Sequence, residues 1–396
     1  MTRLLMRTNS ITSLDPAMTG GAFSARRARG FSLIELMVAM LLGLLVVAGL
    51  INLFIANRRS YQMQSGNNFL QENLRIASDR IGWSLRMADY WGGNKTVQVG
   101  TSAVDAVGAK GDCDGAWATA VSSAVTGGGG VYGYTGAATF PLGAACIGDS
   151  KNYVAGSDVL VVRYADPQVL APGPAEAGFA PAESGTISGS PKQVFLLSTP
   201  GSSAQLFAGA PPATLTAKVH RYVNPYQVDM YYLRPCSVIP DNGSTCTATA
   251  DGGLPLPTLM RMHLQSSGQL VSEPVVDGVE QINFEYGATG TGTGGALQYW
   301  SASDITSNNT WASVVSVRVS LVAVNPTRDI SIPHVKTYVL GTLPGNCTYT
   351  INNGSAAGTT GCQNFVPYGG DQPWQFARTD QQFVVQLRNR VRGLGQ

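Results

Sequence analysis

The sequence predicts an α+β fold in which one long N-terminal helix, membrane-spanning in its first half, packs its second half on an antiparallel β-sheet domain with long loops. Three observations carry this. No residue from Leu36 to Asn57 is charged, and no proline interrupts the chain between Phe31 and Lys95. Leu70, Leu74, Ala77, Ile81, Leu85 and Ala88 then recur at spacings of three and four, the period of one helical face. Past Trp91-Gly92-Gly93, short β-prone runs alternate with Gly, Pro and Ser loops.

Four segments follow in order: a leader over 1–30, the membrane half of the helix over 31–57, its amphipathic half over 58–93, and a β-rich exported domain over 94–396. The leader holds five basic residues and one acid, Asp15. Its Arg26, Arg27 and Arg29 keep the N-terminus cytoplasmic and send residue 60 onward outward. At about 1.5 Å per residue, Phe31 to Ile55 reaches roughly 37 Å, enough to cross a hydrocarbon core of about 30 Å. A secretory signal places its small-residue cleavage site after the apolar stretch. Here the small residue, Gly30, stands before it, so a cut at Gly30 leaves the apolar helix on the mature protein.

Glu35 is the anomaly, since a carboxylate in the apolar layer costs about 2.5–3.5 kcal/mol on insertion scales unless it finds a partner. Cleavage after Gly30 frees an amine on Phe31, and a neighbouring copy shifted along a helix bundle would bring that amine beside Glu35. Such a pair fixes register better than it adds stability. The plainer alternative is an uncleaved signal anchor with Glu35 at the headgroup level.

The string Gly30-Phe31-Ser32-Leu33-Ile34-Glu35 resembles the class III signal of type IV prepilins. The resemblance implies that a membrane prepilin peptidase cuts after Gly30 and methylates Phe31, and that Glu35 is the assembly acid. It also implies a type IV pilin-like fold. The leader is longer than is usual in that family, and a start at Met18 would restore the usual length.

With 13% charged residues, 47 glycines and a formal charge of +2, the chain reads neither as a nucleic-acid binder nor as an acidic disordered tail. Cys113, Cys146, Cys236, Cys246, Cys347 and Cys362 all lie on the translocated side, where an even count favours disulfides. Pairing Cys113 with Cys146, Cys236 with Cys246, and Cys347 with Cys362 closes three loops rich in Gly, Ser, Thr and Asn. A zinc site is the rival, but no C-x-x-C occurs and His220, His263 and His334 are scattered. No metal and no cofactor are expected.

Within the amphipathic half, Gly66-Asn67-Asn68 is a point where the helix could bend or fray. Strands are expected over 158–164, 193–198, 215–223, 227–233, 259–264 and 279–286, with Asn224-Pro225-Tyr226 turning a hairpin between the third and fourth. Val315, Val317, Val319 and Leu321 alternate with Ser316, Arg318 and Ser320, the pattern of a half-solvated antiparallel strand. Segments 94–150, 165–190 and 287–312 read as long surface loops.

Further blocks narrow the resemblance to PilW-like minor pilins: Phe69 to Arg75 and Leu85 to Gly92 in the helix, Ser157 to Tyr164, Pro274 to Gly287, Trp311 to Leu321, and Phe383 to Asn389. Family members often carry Cys where this chain has Gly93 and Gly where it has Asp89. The resemblance implies a minor pilin that primes or caps a type IV pilus and supports adhesion and twitching motility. Its implied partners are other minor and major pilins, the prepilin peptidase, the inner-membrane assembly platform and a tip adhesin. It implies a single-pass inner-membrane protein with a periplasmic C-terminus before assembly, and a place in the surface fibre afterwards.

A type II secretion pseudopilin and a DNA-uptake pilin share the signal. A membrane-anchored exported enzyme is the reading from another class, and no catalytic residues support it. Gly290 to Gly295 satisfies G-x-G-x-x-G without a following helix, so it is a flexible loop rather than a dinucleotide site. Asp112-Cys113-Asp114-Gly115 lacks the later acid of an EF-hand and reads as a turn opening a disulfide loop. His263 reads as a surface or satisfied strand histidine, and Arg388, Arg390 and Arg392 as a cluster solvating the end of the last strand.

Overall fold

The computed structural model describes residues 30–101, 107–124, 126–168, 171–172, 187, 189–209, 222–240, 243–289, 296–330, 333–354 and 358–391. All of the leader except Gly30, the run 215–221, His220, Arg392 and the glycine loop 290–295 lie outside them. Two units partition the chain, residues 1–61 and 62–396.

The described part of the first unit is Gly30 to Tyr61, which enters helix α1 (Leu33–Met87). Its large apolar side chains are exposed throughout, from Phe31 at 80% to Ile55 at 41%. A helix uncharged from Leu36 to Asn57 that leaves its whole circumference bare is built for a solvent other than water.

The second unit holds the rest of α1 and three sheets. The first is organised around β7 (Tyr222–Arg234), a long central strand. Along one edge of β7 lie β4 (Ala171–Pro172) and β3 (Val159–Ala165); along the other lie β5 (Val194–Thr199) and β8 (Thr258–Leu264). Outside these sit β1 (Val99–Thr101), β2 (Val131–Tyr134), β6 (Ser203–Ala208) and β9 (Leu270–Asp277). β1 runs parallel to β6, the one parallel pair among the described strands. The second sheet has the order β11 (Gln298–Trp300), β10 (Val279–Ala288), β12 (Val314–Arg328), β16 (Phe376–Gln386). The third, β13 (Lys336–Val339), β14 (Thr348–Ile351) and β15 (Gly358–Thr360), is a small antiparallel insert between β12 and β16.

One apolar core joins these parts. Leu70, Leu74, Ala77, Ile81 and Leu85 of the helix stripe cluster with Val161 and Met230 of the first sheet and Phe284 and Val317 of the second. At about 25 cal/mol per Å² of apolar surface, such burial supplies most of the drive to fold.

Several expectations need correction. Asn224-Pro225-Tyr226 is not a turn, because β7 continues through it. Pro225 falls where β7 exchanges β5 for β8 along one edge. Its carbonyl faces the opposite edge, accepting the Asp166 N–H at 2.8 Å, and its missing N–H falls on that same edge in the gap between β4, paired up to Val223, and β3, paired from Tyr226. Gly66 does not break α1, which runs as one helix through it. Residues 94–150 and 287–312 are not simply surface loops. The first carries β2 and buries Trp117, Tyr132 and Phe140; the second carries β11, a short helix (Ala302–Ser307) and buried Trp311. Their low charge disguises aromatic side chains that the core takes in. Finally, β12 is not half-solvated. Ser316 and Ser320 on its polar face are only 5% exposed, satisfied by Tyr299 and Gln382.

Candidate functional site

The signal lies at the head of α1. Gly30 is exposed, and a Cβ built on it would meet no atom within 4 Å. Phe31 follows, then the first helical turn, with Glu35 inside it and Leu36 N–H donating to the Ser32 carbonyl at 3.1 Å. Gly30, Phe31 and Glu35 thus stand together on an open, unpacked end.

The other end of α1 is fixed by polar contacts along its buried stripe. At Gly66 a Cβ would lie 2.2 Å from Nδ2 of Asn325, so any larger residue requires that amide to move aside. Asn73 Nδ2 donates to the Asp277 carbonyl at 2.6 Å. Deeper in, Ser84 donates to Asp229 at 2.8 Å and shares a 2.7 Å hydrogen bond with Tyr231. Asp229, wholly buried, also accepts from Tyr164 and pairs with Arg261 at 2.7 Å. Burial and the Asp229 charge together push the Tyr164 hydroxyl well above its ordinary range, so it remains a donor at any physiological pH.

Past Met87 the helix stops at Asp89, whose φ of 57° lies in the left-handed region that Asp tolerates better than most residues. Its carboxylate accepts from Gly130 N–H and the Thr96 hydroxyl, both at 3.1 Å, and pairs with Arg390. Asn389 Nδ2 donates to the Ala88 carbonyl at 2.8 Å, supplying a donor where the last helical carbonyls have none. Arg390 also donates to the Trp311 and Val314 carbonyls. Arg390 is therefore not part of a solvated terminal cluster, and neither it nor Asn389 had a local sequence signal.

The cysteines form three disulfides, Cys113–Cys146, Cys236–Cys246 and Cys347–Cys362, with Cα separations of 5.4, 5.7 and 4.6 Å. Asp114 caps the short helix Gly115–Ala118 by accepting from Trp117 N–H at 2.8 Å.

Several charged side chains elsewhere in the domain pair with one another. Glu285 accepts from Thr342 N–H, Leu343 N–H, Asn346 and Arg318. Burial raises its carboxyl, but those donors together hold it below the usual range. Arg318 in turn lies over the Tyr299 ring, 3.7 Å from its centroid. His263, on β8, sits 3.7 Å from Glu273 beside Arg261. Desolvation and the Arg261 charge lower its pKa. Among the described residues no group of three or more His, Cys, Asp or Glu could hold a metal ion.

Residues 25–51 match the prokaryotic N-terminal methylation motif, and residues 244–389 match the family described as Type IV Pilus-assembly protein W. The second match begins just before Cys246 and ends on Asn389, taking in β8 to β16. No curated protein matches the chain. A type IV-like pilin from Thermus thermophilus aligns over 50% of this chain and 84% of its own, with 13% identity and a TM-score of 0.19.

Proposed function

Because the chain is a PilW-like type IV pilin, with a prepilin methylation signal ahead of a PilW-type region, we propose that it serves as a minor pilin that primes or caps fibre assembly and so supports adhesion and twitching motility. One observation carries the reading. Gly30, Phe31 and Glu35 occupy the open head of a helix that is uncharged from Leu36 to Asn57 and exposed over its whole surface.

Cleavage after Gly30 by the prepilin peptidase leaves Phe31 as a methylated N-terminus. The protein then waits in the inner membrane as a single-pass species with its sheet domain on the periplasmic side. The assembly platform extracts it, and lipid contacts around the helix exchange for contacts with other minor and major pilins. Glu35 sets axial register against the Phe31 amine of a neighbour. A domain as large as residues 62–396 suits a position near the tip, where a tip adhesin would be carried. The role is structural, not enzymatic.

Mass spectrometry of the N-terminal peptide, in cells with and without a prepilin peptidase, tests the reading. N-methylated Phe31 appearing only with the peptidase supports it. An intact leader in both makes the chain a signal-anchored exported protein and ends the fibre mechanism.

A further inference from the structure

An open groove of about 730 Å³ lies where β11, an edge strand of the second sheet, meets the loop of residues 342–346 between β13 and β14. Ligand sites usually hold about 300–1,000 Å³. The groove is built on fixed groups. Gly287 pairs with Tyr299 across β10 and β11, and a Cβ there would lie 3.2 Å from Tyr299 Cε1 and 2.3 Å from Ser316 Oγ. Its absence lets the Tyr299 ring settle against the sheet, stacked on Arg318. Arg318 donates to Glu285 Oε2 and to the Thr342 hydroxyl, both at 2.6 Å. The buried Glu285 carboxylate also accepts from Thr342 N–H, Leu343 N–H and Asn346 Nδ2, which pins the loop as a second wall. A third wall is the start of the short helix Ala302–Ser307, where Ser303 N–H donates to the Thr135 hydroxyl at 3.0 Å.

We propose that this groove binds a neutral oligosaccharide. Tyr299 and Trp300 are only half-buried in it, and aromatic rings offer a flat apolar surface that suits the C–H face of a pyranose. Exposed Gln298 and Asp304 set planar polar groups beside those rings, an amide that both donates and accepts and a carboxylate with several acceptor positions. Asp304 uses Oδ2 to accept from Ser301 Oγ at 2.7 Å, and a carboxylate with one such bond still has acceptor capacity for sugar hydroxyls. Charge narrows the ligand further. Arg318 is neutralised by Glu285, so Asp304 is the one uncompensated charge among the described residues that line the groove. An acidic sugar would meet that carboxylate at close range and be repelled. Because the walls are held by hydrogen bonds and the Cys347–Cys362 bond before any ligand arrives, little ordering is left to oppose binding.

The test uses the full chain in a zwitterionic detergent with no sugar headgroup. It is applied to an array of immobilised neutral oligomers of glucose, galactose, mannose and N-acetylglucosamine, beside sialylated and uronic-acid glycans, and any bound glycan is then titrated by calorimetry. At least one neutral oligomer is expected to bind, with acidic glycans weaker by about 10-fold or more. Trp300→Ala should weaken binding by about 10-fold or more, while Trp300→Phe stays within about 3-fold, both melting as wild type does. If Trp300→Ala melts early, exposed Gln298→Ala takes its place, with a loss of about 3-fold or more expected. Asp304→Asn should narrow the gap between neutral and acidic glycans. Binding of no neutral oligomer overturns the proposal, as does affinity that the folded variants leave unchanged or a preference for acidic glycans. An extended peptide that binds the wild type, loses affinity in the Trp300 variant and is not displaced by neutral oligomers assigns the groove to protein and overturns it too. Glycan binding is read without reference to Gly30 processing, so this proposal and the pilin reading can fail separately.

Discussion

Glu280 and Arg378 meet with both side chains withdrawn completely from water, Nε lying 2.7 Å from Oε2. The carboxylate also accepts from Tyr368 N–H at 2.6 Å and the Tyr349 hydroxyl at 2.9 Å, while the guanidinium donates to three backbone carbonyls. The pair thus binds β10 and β16 to the small third sheet.

Removing one partner strands the other charge in the core. Glu280→Leu or Arg378→Met alone is expected to cost about 3–5 kcal/mol, and the double variant distinctly less than the sum. Denaturant unfolding of the full chain in detergent measures this. A double variant as unstable as the added single losses would show that the two charges are not coupled and that neither is stranded by loss of the other.

Asp158 ties the two large sheets by accepting from Gly136 N–H at 2.6 Å and from Phe284 N–H and Asn283 at 2.8 and 2.9 Å. Burial pushes its carboxyl up to about 7, against the pull of those backbone donors. A carboxyl raised on folding binds more protons in the folded state, so its stabilising contribution is complete below the unfolded value. That contribution is lost as pH rises from about 4 to about 7, by at most about 4 kcal/mol. His263, lowered on folding, slopes the opposite way near pH 6, so the difference between wild type and Asp158→Asn isolates the aspartate. The variant is expected to be less stable overall, since its amide faces backbone N–H groups, yet flatter between pH 4 and 7. Parallel stability curves for the two proteins would rule out the assignment.

At the helix end, Asp89→Ala removes the partner of Arg390 and places alanine in a left-handed backbone. A loss of about 3 kcal/mol or more is expected. Asp89→Asn keeps the conformational tolerance and one acceptor, so it should lose less. Thermal unfolding that ranks the two alike would mean that the left-handed backbone and the retained acceptor contribute nothing measurable.

Glu35→Ala is expected to leave membrane insertion and processing at Gly30 intact while reducing recovery of the protein in sheared fibres. Immunoblots of membrane and fibre fractions read both quantities from one culture. Unchanged fibre recovery would remove the register role assigned to Glu35.

Local pattern made α1 legible, because both its uncharged span and its buried stripe are periodic along the chain. The strands at 159–165, 258–264 and 279–288 were legible for the same reason, each a compact β-prone run. Pro225 misled because a proline signals a turn locally, and only the gap between β4 and β3 along the β7 edge that it faces makes it acceptable there. Trp117 and Tyr132 were hidden among glycines and alanines, where composition outweighs two aromatic rings. The contact of Arg390 with Asp89 spans 301 residues, and no window of sequence reports a partner so distant.

That 301-residue separation also sets a timetable. α1 is among the first parts of the chain to be made, yet the donor for its last carbonyls, Asn389, is among the last. At about 5–20 residues per second of synthesis, roughly 15–60 s pass between them. Throughout that interval the helix end lacks the Asn389 donor, while its apolar stripe gains cover in stages as β3, β7, β10 and β12 are made. Closure of this joint is a late, high-contact-order event, and a ribosome that stalls anywhere before residue 389 releases a chain whose longest helix is left open at its end.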